Sequence, residues 1–278
     1  MSSQAARGDS LSDPVLSVLM AVRAPAPYLA DALESLLLQS EDDWELVLVL
    51  DGPADRNIMS LIEAFPVARV DLLALEAGSG LAASLNAGLA VCRGRYVARM
   101  DADDVCLPTR FAVQLAHLDR HPEVGLVGGQ VEVIDADNEH VGWRRTRVDP
   151  DAIARKLLWR NAFVHPSVVF RRDLVRSVGG YDERVVRLED WELWLRLVGR
   201  TRMANVPDVV LRYRVHALQH SRRRSFRSTE LVVLRRSQIE AARRLGRSRI
   251  GAAFRHLVWL VYQRLSHVKS IIRGRRPT

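Results

Sequence analysis

Three carboxylates close one strand-like run. Tyr96 to Met100 is β-prone and mostly apolar, and it ends abruptly at Asp101, Asp103 and Asp104, with Ala102 between. A single Asp or Gly is enough to stop a strand, and like charges this close raise one another's pKa unless a cation lies among them. Hard oxygen donors on a loop at the end of a buried strand suit Mg²⁺ or Mn²⁺, which are usually held by one or two carboxylates together with substrate phosphates. A solvated acidic turn is the other reading of the same residues. Two further sites repeat the theme: Asp51 ends the apolar run Glu45–Leu50, and Glu189-Asp190 opens a Trp-rich segment of helical composition. Asp51 could accept an N–H from a nucleobase, Asp101 and Asp103 could hold a metal that bridges phosphates, and Asp190 could act as a base. A nucleoside diphosphate donor would use all three. Glu189 and Asp190 could instead simply complement a helix dipole.

The elements that must carry these residues alternate. Leu16–Val22, Glu45–Leu50, Val70–Leu75 and Tyr96–Met100 read as strands, the first two as runs buried on both faces. Between and after them, Tyr28–Gln39, Ile58–Phe65, a helix from Gly80 to about Cys92 and a helix after Pro108 show apolar residues at helical spacing. Four such alternations predict a doubly wound, mostly parallel sheet with right-handed crossovers. Open sheets of this kind bind ligands at the C-terminal ends of their strands, so Val22, Asp51 and Asp101 are expected in one crevice. After His121-Pro122 the pattern changes to a hairpin over Val131–Trp143, a helix opened by Asp149-Pro150, a short strand at Val168–Phe170 and a last strand at Val209–Val215. No GxGxxG and no GxxxxGK[ST] is present, so a metal clamp is the phosphate-binding solution that remains.

Charge is unevenly divided over the 278 residues. Residues 222–278 hold 16 Lys and Arg against 2 Asp and Glu, whereas the rest holds 25 against 31. Cys92 and Cys106 lie in no ligand or disulfide spacing, which fits a reducing cytoplasm. The apolar run Val15–Val22 resembles a signal-peptide core, but Asp9, Asp13 and Pro14 occupy the place of a positive n-region. No run approaches the ~20 apolar residues of a spanning helix.

Taken in order, Leu16–Val22, Glu34–Gln39, Trp44–Gly52, Leu85–Gly88, Gly94–Asp104, Arg110 with Gln114, His165–Ser167, Gly180–Asp182, Glu189–Trp191 and Tyr213–His216 resemble the family 2 glycosyltransferases of the GT-A fold. The resemblance covers about residues 15–221. It implies a Rossmann-like GT-A sheet with a small antiparallel subsheet, and inverting, metal-dependent transfer of a sugar from a nucleotide sugar, with UDP the first choice. The acceptor it implies is a glycan or lipid-linked hydroxyl in cell-surface polysaccharide synthesis. It also implies Asp51 on the base, Asp101 and Asp103 as the DXD pair on ribose and on diphosphate-bound Mn²⁺ or Mg²⁺, and Asp190 as general base. The expected division is a leader at 1–14, a catalytic domain at 15–221 split into a nucleotide-sugar half (15–122) and an acceptor half (123–221), and a basic helical extension at 222–278.

Several residues carry two readings. Asn86 either touches the donor or pins a loop, and His165 either lines the acceptor side with Glu189 or caps the next strand. His216 is either a third metal ligand or structural. Trp191 and Trp194 either stack on an acceptor sugar or fill the core. Where the family has a tandem acidic pair this chain has Leu50-Asp51, followed by Pro53 in place of Ser. From Phe254 to Ile272, apolar residues recur every three or four positions among cations, as in a basic amphipathic helix suited to an anionic membrane surface on its inner face. Packing on the body, or on a sister subunit in a homo-oligomer, is the alternative for this segment; no motif points to nucleic acid. A nucleotidyltransferase would need a Gly- and Arg-rich loop with a Lys after the first strand, absent from 22–28. The non-enzymatic alternative is a nucleotide-sugar-binding or membrane-scaffold protein that has lost catalysis, against which the intact Asp101/Asp103 and Glu189/Asp190 pairs argue.

Overall fold

The computed structural model describes residues 13–260 apart from 54, 67–69, 218, 220–227, 249, 252 and 255. The expected leader, except its last two residues, and the tail beyond Leu260 therefore lie outside the described residues, Val261, Leu265, Val268 and Ile272 among them.

The first half follows the alternation expected from the sequence. Strands β1 (Leu16–Val22), β2 (Trp44–Asp51), β3 (Val70–Leu75) and β4 (Tyr96–Asp101) are joined by helices α1 (Leu29–Leu37), α2 (Arg56–Ala64) and α3 (Leu81–Val91). They form a parallel sheet in the order β3-β2-β1-β4. Register aligns the functional ends: Ala21 pairs with Asp101, Val22 with Leu50 and Asp51 with Leu75. Their C-termini therefore open on one edge of the sheet. β1 and β2 are buried on both faces because α1 covers one side and α3 the other, which is why both read as continuous apolar runs.

The sheet continues without a break into the second half, through β5 (Val105–Cys106), α4 (Arg110–Arg120), β6 (Val124–Ile134), β7 (His140–Arg144), α5 (Pro150–Leu157), β8 (Val169–Arg171), α6 (Arg172–Ser177), α7 (Glu189–Leu197) and β9 (Arg202–Arg214). The order runs β4-β8-β6-β9-β5, with β7 on β6; β8, β5 and β7 are antiparallel to their neighbours. The antiparallel strands thus extend the main sheet. At the β4–β8 seam, Arg110 and Gln114 are fully buried: Arg110 Nη2 donates to the carbonyl of Arg99 at 2.8 Å and Gln114 Nε2 to that of Ser167 at 2.8 Å. They satisfy backbone groups that an irregular seam leaves unpaired in a dry interior.

Helix α8 (Ser228–Arg244) packs on α7, with Leu234, Ala241 and Ala242 in the same core as Trp191 and Trp194. Helical residues between 250 and 260 add Trp259 to that core. No helix among the described residues is long and apolar enough to cross a membrane.

Candidate active site

The loop after β4 is held from three sides. Arg99 and Asp101 lie two apart on one face of β4, and the buried Arg99 guanidinium meets Asp101 Oδ1 at 2.5 Å. Asp104 is fully buried; its Oδ1 accepts the Arg214 backbone N–H at 2.9 Å, while its Oδ2 has no partner. Arg214, at the end of β9, also donates from Nε to the Asp103 carbonyl at 2.8 Å and pairs with Asp31 at 2.8 Å. The chain that follows brings His216 Nε2 to within 2.8 Å of Asp103 Oδ2, and Tyr28 packs edge-on against its ring. Oxygens of Asp101, Asp103 and Asp104 all lie within 4.8 Å of one another. Burial first, then the charge of Asp101, pushes the carboxyls of Asp103 and Asp104 up. A bound cation would relieve that crowding.

Two cavities meet over this loop. The first, about 360 Å³, is lined among others by Val22, Tyr28, Asp51, Asp101, Asp103 and His216. Asp51 is oriented there by the Gly78 N–H, which donates to its Oδ1 at 2.9 Å. The second, about 370 Å³, is lined among others by Asp101, Asp103, Asn161, His165, Glu189 and Asp190. Leu81, Asp101, Asp103 and Gln219 line both.

Asp190 stands at the first turn of α7. Its Oδ1 accepts the Trp191 N–H at 2.6 Å and its Oδ2 accepts from Asn161 Nδ2. Burial raises its pKa to about 6; it raises Glu189, which also feels the charge of Asp190, to about 8. The hydrogen bonds decide which carboxyl keeps the proton, since Asp190 has two donors on its anion while Glu189 Oε2 has none. His165 is held neutral, burial pushing it well below its ordinary value, with its Nε2 3.0 Å from the Tyr181 hydroxyl.

Two residues with alternative readings take the structural one rather than a place among the donor or acceptor contacts. Asn86 lines neither cavity: its Oδ1 accepts the Tyr181 N–H at 2.8 Å and its Nδ2 donates to the Tyr181 carbonyl at 2.9 Å, so it pins the loop before α7. Trp191 is no platform for an acceptor. One residue along the helix from Asp190 turns it about 100° away, and it is buried against Trp259 with its Nε1–H on the Leu157 carbonyl at 2.8 Å. Sequence reasoning missed Arg99 and Asn161. A lone cation inside an apolar strand, on the same face as Asp101, was a readable sign of the first; a single Asn in a loop carried none for the second.

A family model described as glycosyl transferase family 2 matches residues 17–179. The chain is a family 2 glycosyltransferase. This glycosyltransferase is 36% identical over 200 residues to the amylovoran biosynthesis glycosyltransferase AmsE of Erwinia amylovora, covering 71% of this chain and 74% of AmsE. It is 28% identical to the UDP-Gal:alpha-D-GlcNAc-diphosphoundecaprenol beta-1,3-galactosyltransferase of Escherichia coli, over 66% of this chain and 67% of that protein. Among solved structures, S. aureus TarS 1–349 with UDP-GlcNAc superposes with a TM-score of 0.67 at 17% identity, over 81% of this chain and 66% of that one. The mannosyltransferase PcManGT of Pyrobaculum calidifontis, in complex with GDP-Man and Mn²⁺, gives 0.59 at 18% identity, over 95% and 80%. At such identities the likeness shows the fold, a mixed α/β sheet of the GT-A kind, as expected from the sequence.

Proposed function

We propose that this glycosyltransferase moves a sugar, with inversion, from a nucleotide sugar to a hydroxyl of a glycan or lipid-linked acceptor in cell-surface polysaccharide synthesis, at the cytoplasmic face of a membrane. The observation that carries the reading is the shared wall: Asp101 and Asp103 line both cavities, so a donor held over them in the first presents its sugar to the second, where Asp190 lies. Support for the donor and acceptor comes from the relatives: one is named as a UDP-galactose transferase acting on a diphosphoundecaprenol-linked sugar, another as a glycosyltransferase of amylovoran biosynthesis.

The donor set suits a hard divalent ion, Mn²⁺ or Mg²⁺. Clustered carboxylates and an unpartnered Asp104 Oδ2 match its preference for oxygen ligands, and the His216 imidazole beside Asp103 adds one nitrogen donor. Asp101 and Asp103 would hold it, with His216 as a third ligand, and it would neutralise the charge developing on the departing diphosphate. Asp51 accepts from the base. Asp190 takes the proton of the acceptor hydroxyl as that oxygen bonds to the anomeric carbon; the bond from that carbon to the diphosphate oxygen breaks on the opposite face, and its electrons leave with the nucleoside diphosphate. A carboxylate raised toward neutrality yet still ionised at pH 7 is a stronger base than an ordinary Asp. Glu189, by keeping the pair's proton, leaves Asp190 free for that role.

The test is transfer from labelled UDP-hexoses to lipid-linked acceptors extracted from bacterial membranes, with and without Mn²⁺. The expected result is metal-dependent product whose anomeric configuration is opposite to that of the donor. Nucleotide binding with no turnover of any sugar nucleotide overturns the proposal in favour of a donor-binding scaffold.

A further inference from the structure

A third cavity, about 750 Å³ and so about twice the volume of either half of the transfer site, lies between α5 and the helical residues Val258 and Trp259. Arg147, Arg155, Lys156 and Arg160 line it, with no Asp or Glu beside them. None of the four forms an ion pair with a described carboxylate. The nearby acids are engaged elsewhere: Asp149 caps α5 by accepting the Ala152 N–H at 2.7 Å, and Asp151 faces Arg202 at 3.5 Å. The opposite wall offers no relief either, because the sequence holds no Asp or Glu after Glu240. Burial, then the charges of Arg160 and Arg147, pushes the Lys156 ammonium down, as expected of cations crowded without a counter-charge.

Apolar side chains accompany these cations. Trp159, 46% exposed, and Val258 line the cleft, and Ile250, Phe254 and Leu257 recur with Val258 at three- and four-residue spacing among the helical residues on its far side, from 38% to 84% exposed. Cations in a cleft, an exposed Trp and an outward apolar stripe beside it suit the boundary between lipid headgroups and acyl chains. A soluble anion would leave the stripe unused, and an apolar protein partner would leave four cations uncompensated.

We propose that this cleft seats the phosphate of an anionic phospholipid, with Trp159, Phe254, Leu257 and Val258 entering the interfacial layer. The cations concerned belong to the body of the enzyme, on α5 and the segments that flank it, as well as to any the tail supplies. Location couples the site to transfer. Arg160 in the cleft precedes Asn161, which holds Asp190, and Arg147 lies three residues beyond Arg144 of the second cavity. Docking would set the acceptor side of the site against the bilayer. That orientation, though not the lipid binding, rests on the acceptor reading given above.

The test is co-flotation of the full chain with phosphatidylcholine vesicles, with or without phosphatidylglycerol. Wild type is expected to float only with the anionic vesicles. Lys156→Glu with Arg160→Glu is expected to weaken binding at least about tenfold, since each cation near an anionic surface contributes appreciably. Arg56→Glu with Arg120→Glu, the same charge change at exposed positions elsewhere, is expected to bind as wild type does. Phe254→Ser with Leu257→Ser removes half of the stripe without touching charge and is expected to weaken binding as well. Thermal unfolding checks that each variant is folded, and nucleotide binding is expected to be intact in all, which separates failure here from failure of the transferase reading. Equal losses in both charge-reversed pairs, unchanged binding by the cleft pair, or saturation of the cleft by inorganic phosphate with no vesicle binding would each overturn the proposal.

Discussion

Replacing Asp190 by Asn removes a charge while keeping the shape of the side chain. The Trp191 N–H bond to Oδ1 survives. On the other side the new amide meets the Asn161 amide, whose oxygen is already engaged by the Phe163 N–H at 3.1 Å, so one hydrogen bond is lost or swapped at a cost of about 1 kcal/mol. Against this stands relief of a buried anion. Asp190 is raised from 3.8 to about 6, so the folded chain binds its proton more tightly than the unfolded chain, and stability present at low pH is lost as pH rises through the folded pKa. At pH 7 that ionisation opposes folding by up to about 3 kcal/mol, and Asn does not ionise. The variant is therefore expected to be at least as stable as wild type. Its transfer rate is expected to fall ~10²- to 10⁴-fold, about 3–5.5 kcal/mol of transition-state stabilisation, because the acceptor proton has no base to go to. Nucleoside diphosphate binding is expected to be unchanged, since Asp190 lines only the second cavity. Initial rates and calorimetric titration on the same preparation measure both. Transfer within about tenfold of wild type, or nucleotide binding lost together with transfer, refutes the assignment.

Glu189 is raised from 4.5 to about 8, so the stability it contributes is complete near pH 4.5 and is lost as pH rises toward 8. Thermal unfolding of wild type is expected to weaken across that window, and Glu189→Gln to flatten the decline; an identical slope in the variant contradicts the shift. A Cβ on Gly94 would lie 2.5 Å from the Ser17 backbone nitrogen and 2.6 Å from the Leu16 carbonyl carbon. Gly94→Ala is expected to destabilise by about 1–3 kcal/mol in denaturant titrations, and a neutral result denies that this glycine is there for close packing.

The parallel half of the fold was legible because β1, β2 and β4 are buried on both faces and its helices on one, so periodicity distinguishes them. β5 was not, being two residues long and stabilised by pairing with β9 across more than a hundred residues of sequence. The carboxylates announced themselves by ending apolar runs, and the register of β1, β2 and β4 explains why those ends converge. Trp191 misled because proximity in sequence to a site residue does not fix which way a helical side chain points, whereas Asn86, read either as a donor contact or as a loop pin, is the pin. α7 is buried nearly all round, since α5 and α8 cover the face turned from the sheet, so its aromatics read as candidates for a ligand while serving the core. Cations dominated the composition of the C-terminal segment and hid Leu234, Ala241, Ala242 and Trp259, which pack into the body.

The claim that Asp101 and Asp103 carry the donor through a divalent ion is tested most directly by titrating UDP into wild type and Asp103→Ala, each with and without Mn²⁺, after unfolding curves establish that both are folded. Binding that needs Mn²⁺ in wild type and is absent from the variant under either condition is the expected result. UDP binding of equal affinity with and without the metal, or an Asp103→Ala variant that keeps metal-dependent binding, would contradict it.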